Sequence, residues 1–212
     1  MTILQSPNLP ISSISIFFRE KTMNKTIHLN PARVAYLEKA GWEAYYDRKW
    51  LRVLTLMVQL NREEFKMPWW TAIAAALDTV RAAAAFAPVD NDIAKATRYL
   101  VAFYEKARRH ANIQAEAAAL AELEMEYWIV HRELANRRIK DQSHNNIEPM
   151  IDALAKLHAA LFAISEADAR PSAEARAKAA VAVDRITGKY STDVKADWRE
   201  VEMWLVKAYE QV

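Results

Sequence analysis

Glu124, Tyr127 and His131 interrupt an otherwise apolar series, Ile113, Ala117, Leu120 and Leu134, that repeats at alternating steps of three and four residues. On a helix that spacing places all of them on one face. A carboxylate, a phenol and an imidazole would then share a surface otherwise suited to burial. Burial raises the cost of charging the carboxylate or the imidazole, so each needs a partner. The chemistry open to such a trio is ligand binding, or acid–base work inside a helical bundle.

Geometry argues against a simple metal centre. Glu124 and His131 stand about 10 Å apart along a helix, at roughly 1.5 Å per residue, too far to clasp one ion. Di-iron carboxylate bundles use Glu-x-x-His on two helices, and zinc proteases use His-Glu-x-x-His. Neither spacing occurs in this chain. No metal is expected, and no cofactor is indicated. The plainer alternative is a core histidine with a hydrogen-bond partner and a glutamate paired with a neighbouring arginine. His158 lies on a second apolar face beside Ile151, Leu154 and Leu161. If the two helices are antiparallel neighbours, His131 and His158 lie at comparable depth. Glu124, Tyr127, His131 and His158 are thus the candidate ligand-binding residues, with no catalytic residue assigned.

The elements that must position these side chains are helical. Two glycines and no cysteine in 212 residues leave little room for tight hairpins, phosphate-cradling loops, disulfides or thiolate metal sites. Asn30-Pro31 predicts a helix start, with a capping side chain followed by proline at the first position. The helix so opened is expected to run to about Phe65. Its second half is apolar nearly all round, which predicts a central and most buried element. Pro68 and Pro88 bound a second helix, and residues 91–110 and 114–140 form the third and fourth. Asn146 is expected to cap a fifth. Pro171-Ser172 opens a sixth that ends at Gly188, and Ser191 or Thr192 caps the last. The fold class is all-α, a compact bundle of about seven helices with a long central N-terminal helix. Residues 30–212 are read as a single helical domain. Residues 1–29 are read as a flexible extension, whose patch Ile11–Phe18 lacks the basic leader of a secretory signal.

The interior is expected to be almost wholly apolar, given 52% hydrophobic residues. Asp78 and Arg81 are placed on a solvated face. A formal net charge of +2 does not suggest nucleic acid. The basic clusters Lys106–His110 and Arg137–Lys140 lie near helix C-termini, where they complement the helix dipole. No apolar run approaches the roughly 20 residues that cross a bilayer. The absence of cysteine suits a reducing cytoplasm.

Trp42, Tyr45, Tyr46, Trp50, Trp69, Trp70 and Trp128 promise exposed aromatic surface, and with it a homo-oligomer or a protein partner. The first functional expectation is a non-enzymatic interaction or structural protein. The alternative is a helical enzyme or a ligand or metal carrier with a buried Glu/Tyr/His site. No Ser-His-Asp or Cys-His arrangement, Walker loop or dinucleotide fingerprint assigns a reaction.

Overall fold

The computed structural model describes residues 29–142 and 145–212. The expected N-terminal extension and the patch at 11–18 lie outside the described residues. Eight helices and no strand are present among the described residues: α1 (Pro31–Tyr46), α2 (Trp50–Phe65), α3 (Trp69–Phe86), α4 (Ile93–Ala111), α5 (Ala117–Lys140), α6 (Glu148–Phe162), α7 (Glu166–Thr187) and α8 (Val194–Glu210).

Local chemistry accounts for several of the starts. Asn30 Oδ1 accepts the Arg33 amide at 3.1 Å ahead of Pro31. Asp92 does the same for Lys95 at 2.9 Å, and Asn146 Oδ1 accepts from the Glu148 amide. Three starts differ from expectation. The cap position of α6 is Ile147, which makes no side-chain cap bond, and Asn146 stands one residue before it. α7 begins five residues before Pro171, because Ser165 caps it by accepting the Asp168 amide at 3.1 Å. Arg170 then ties this first stretch to Glu148 and Asp152 of α6. α8 is capped by Asp193, which accepts from the Ala196 amide, rather than by Ser191 or Thr192.

The expected long N-terminal helix is two helices. Arg48 takes a left-handed conformation at φ 59°, and the Lys49 amide closes on Ala44 O at 2.9 Å. No proline breaks the chain there. The chain instead folds back so that Leu37, Ala40 and Ala44 of α1 pack against Val53 and Leu56 of α2. A left-handed residue costs roughly 1–2 kcal/mol. Burying one leucine or valine returns about 1.5–3 kcal/mol, so the turn wins. Nor is the second half the most buried element. α6 buries nine of its 15 residues, against six of 16 in α2.

Each helix packs on its neighbours in the chain, and α8 packs on α1 as well as α7, which closes the eight into a ring. Short connections make successive helices antiparallel. Only α2 with α4 and α5 with α7 make further substantial packing contacts across it. Alanine supplies much of the buried surface, including Ala72, Ala75 and Ala76 on α3 and Ala173, Ala177 and Ala180 on α7. Small side chains let helix axes approach closely.

Gly188 ends α7 for a steric reason. A Cβ there would lie 2.5 Å from Tyr190 Cε1 and 2.8 Å from Asp184 O, whereas one on Gly41 meets nothing within 4 Å.

Candidate functional site

The interior is not wholly apolar. Glu38, Glu64, His158 and Ser172 are buried in it, with Arg176 largely so, and they come from α1, α2, α6 and α7. Each occupies an apolar stripe of its own helix. Arg176 follows Ala169 and Ala173 and precedes Ala180 and Val183. Glu64 continues the series Val53, Met57 and Leu60, and Glu38 follows Val34. A charge interrupting an apolar stripe is the same signal that picked out Glu124, so it was present in the sequence for these residues too.

Arg176 grips Glu38 with both terminal nitrogens, Nη1 donating to Oε2 at 3.0 Å and Nη2 to Oε1. The Tyr209 hydroxyl of α8 donates to the same Glu38 oxygen at 2.7 Å. The Arg176 guanidinium also lies 5.9 Å from the Trp42 ring centre. Burial, followed by the Glu38 charge, pushes the Tyr209 phenol well above its ordinary range.

Glu124 does not pair with an arginine. One oxygen accepts the Tyr104 hydroxyl of α4, and the other accepts Trp128 Nε1 at 2.9 Å, one turn along α5. Tyr104 is held well above the usual phenol range by burial and then by the Glu124 carboxylate.

Glu64 is the exception. Its side chain is buried, at 8% exposure, yet makes no hydrogen bond or ion pair among the described residues. Burial pushes its carboxyl up to about 8; Glu38 and Glu124 add to the rise and Arg176 opposes it. Tyr127 is buried too, and its hydroxyl likewise has no hydrogen-bond partner among the described residues. It is electrostatically coupled to Arg176, Glu124 and Glu38, the groups that also act on Glu64.

His131 stacks in parallel on Tyr127, with ring centres 5.7 Å apart. Its Nε2 lies 3.0 Å from Asp184 Oδ1 on α7. Arg138, 3% exposed, pairs with the other Asp184 oxygen, leaving its Nε and Nη1 without partners among the described residues. His158 Nδ1 meets the Ser172 hydroxyl at 2.9 Å. Burial, reinforced by Arg176, lowers His158 to about 3 and keeps it neutral. His131 and His158 therefore each turn to α7, not to one another. Glu124 and His131 are both half-buried, and each has its own partners.

Charges expected at the surface are largely paired. Asp78 is buried and accepts from Lys106 Nζ at 2.6 Å, correcting the solvated face expected for it. Arg108 pairs with Glu116. The basic helix ends thus already hold carboxylates at Lys106, Arg108 and Arg138.

Among the described residues no three His, Asp or Glu side chains converge as metal ligands, and no helix is long and apolar enough to cross a membrane. A surface groove of about 510 Å³ between α5 and α6, lined by Leu123, Lys156, Ala159, Ala160, Ile164 and Glu166, shares no residue with the buried cluster. The expected exposed aromatics are present at the α1–α2 corner, where Trp50 is 59% and Leu51 85% exposed, and at Trp70, 84% exposed. Tyr45 meets Tyr46 and Trp50 edge-on there.

No protein-family model, no curated protein and no solved structure matches this chain.

Proposed function

We propose that this protein binds a small organic molecule within its helical ring, against Glu64 and Tyr127 and beside the Glu38–Arg176 and Glu124–Tyr104 pairs. The observation that carries the reading is Glu64, a buried carboxyl with no partner among the described residues. The Glu64 oxygens are not among the fully enclosed atoms that lack partners, so a bound molecule or a water can reach and satisfy them. The Tyr127 hydroxyl supports the same reading. Glu38, Glu124 and Arg176, which act electrostatically on Glu64, bring polar groups of α1, α5 and α7 to the same part of the interior.

The test is a thermal-shift screen of a metabolite library on the full chain and on Glu64→Leu. The expected outcome is a compound that raises the melting temperature of the parent saturably and leaves Glu64→Leu unmoved. A screen in which every stabilising compound acts equally on both proteins overturns the reading.

A second reading rests on the α1–α2 corner. Tyr45, Tyr46, Trp50 and Leu51 expose a contiguous apolar surface, and large exposed patches of this kind mark association sites. Its occupant is a second copy of the chain, with the corner packed on itself about a two-fold axis. Light scattering of the parent and of Trp50→Ser/Leu51→Ser tests it: a dimer that the substitutions dissociate supports the reading, and a monomer at all concentrations ends it.

A further inference from the structure

We infer that the outer face of α3 is a contact with a second copy of this chain, the two α3 helices lying antiparallel about a two-fold axis near Leu77 and Val80. The contact uses a surface that neither reading above invokes.

Spacing defines the face. Trp70, Leu77, Val80, Ala84 and Ala87 follow one another at steps of seven, three, four and three residues, and all are exposed, Trp70 at 84%. On a helix those steps make one stripe. Exposed faces elsewhere hold ion pairs, as Glu148 and Asp152 of α6 do with Arg170, and Glu174 of α7 does with Lys178. The α3 stripe carries one charge, Arg81, whose partner is Asp78 of the same helix at 3.8 Å. That charge is answered within the chain and does not resist burial alone. An apolar stripe of this extent marks an association surface.

Shape and charge choose the occupant. The face is bulky where α3 begins, at Trp69 and Trp70, and small where it ends, at Ala84 and Ala87. Laid antiparallel on itself, it sets large against small at both ends and brings Leu77 and Val80 together in the middle. A two-fold contact requires that self-complementarity. Charge runs the same way. Beside the start of α3, the Arg62 guanidinium lies 4.0 Å over the Trp69 ring and has no carboxylate partner among the described residues. Beyond its end, Asp90 and Asp92 make no ion pair among the described residues, and Lys95 follows them on the first turn of α4. An antiparallel pair brings a free cation of each copy toward the free carboxylates of the other, twice over. A parallel pair would set like ends together, and a flat lipid surface would use neither gradient.

The test is sedimentation equilibrium of the untagged full chain and its variants, each checked for folding by circular dichroism. The parent is expected to self-associate, and Trp70→Ser/Leu77→Ser to weaken that association about tenfold or more. Arg62→Glu should weaken it as well, and Arg62→Glu/Asp90→Arg should restore it, because the exchanged charges again meet their opposites. Trp50→Ser/Leu51→Ser, which strips the α1–α2 corner, should leave this contact in place. A parent that is monomeric at every concentration overturns the inference, and so does an association that survives Trp70→Ser/Leu77→Ser. Association lost only with the corner substitutions also overturns it and leaves the corner reading standing. Failure of the charge exchange to restore association overturns the antiparallel arrangement. A monomer that sediments with phosphatidylserine vesicles, and needs Trp70 and Leu77 to do so, replaces the second copy with a membrane surface.

Discussion

Arg176 and Glu38, 138 residues apart in the chain, meet as a two-pronged ion pair inside the ring, and Tyr209 donates to the same carboxylate. The contact ties α7 and α8 to α1, the helices at which the ring closes. Removing one partner strands the other in a medium that solvates it poorly. Arg176→Met is expected to cost about 3–5 kcal/mol, and the double variant Arg176→Met/Glu38→Leu to recover most of that. Urea unfolding of the three proteins checks it. A single substitution that costs under about 1 kcal/mol contradicts the burial of the pair.

Glu64 and His158 give stability opposite dependences on pH. The folded Glu64 carboxyl keeps its proton to about pH 8 against a usual 4.5, because of its burial and then the Glu38 charge, with Arg176 opposing and Glu124 adding. The unfolded chain releases that proton first, so stability present below 4.5 is lost as the pH rises through 8, by at most about 1.4 kcal/mol per pH unit. Burial and Arg176 hold His158 down to about 3 against 6.5, so its contribution is present above 6.5 and lost as the pH falls toward 3. Between 4.5 and 6.5 the two slopes oppose. Glu64→Gln should therefore gain stability relative to the parent from pH 4.5 to 8, and should uncover an acid limb that His158 explains. Urea midpoints measured across pH report both effects.

Asp184 holds Arg138 and His131 together, but the two partners differ in burial. Asp184→Ala leaves the guanidinium of Arg138, 3% exposed, without its counter-charge and is expected to cost about 3–5 kcal/mol. His131→Ala removes a half-buried ring and should cost about 1–2 kcal/mol. Chemical denaturation of both variants distinguishes them. A larger loss at His131 would make the imidazole, not Arg138, the principal partner of Asp184.

The two glycines should respond oppositely to alanine. Gly188→Ala drives a Cβ into Tyr190 and the Asp184 carbonyl and is expected to lose about 1–3 kcal/mol. Gly41→Ala enters open space within α1 and should gain about 0.4–1 kcal/mol. Melting temperatures that move in the same direction for both variants would contradict the geometry at Gly188.

Left-handed turns here use ordinary residues: Arg48, Lys66, Asn112, Ala163 and Lys189 all have positive φ. Ala163 is exposed and loses no packing when trimmed. Ala163→Gly should therefore raise stability by about 0.5–1 kcal/mol, the strain relieved exceeding the added freedom of the unfolded chain. Thermal melts check it, and a fall in melting temperature would show that strain is not the larger effect.

Asn30-Pro31, Pro68, Pro88 and the absence of strand-forming turns were sufficient to establish an all-helical chain and most helix boundaries, because a helix is built from hydrogen bonds four residues apart. The stripe through Glu124, Tyr127 and His131 was legible for the same reason. The turn at Arg48 was not, since the gain that repays it comes from packing α1 on α2. The partners were not legible either: Glu124 meets Tyr104 where α4 packs on α5, His131 meets Asp184 where α5 packs on α7, and Arg176 meets Glu38 across the closure of the ring, contacts set by the packing of helices on one another. Periodicity shows which face of a helix turns inward, but the ring decides what that face meets.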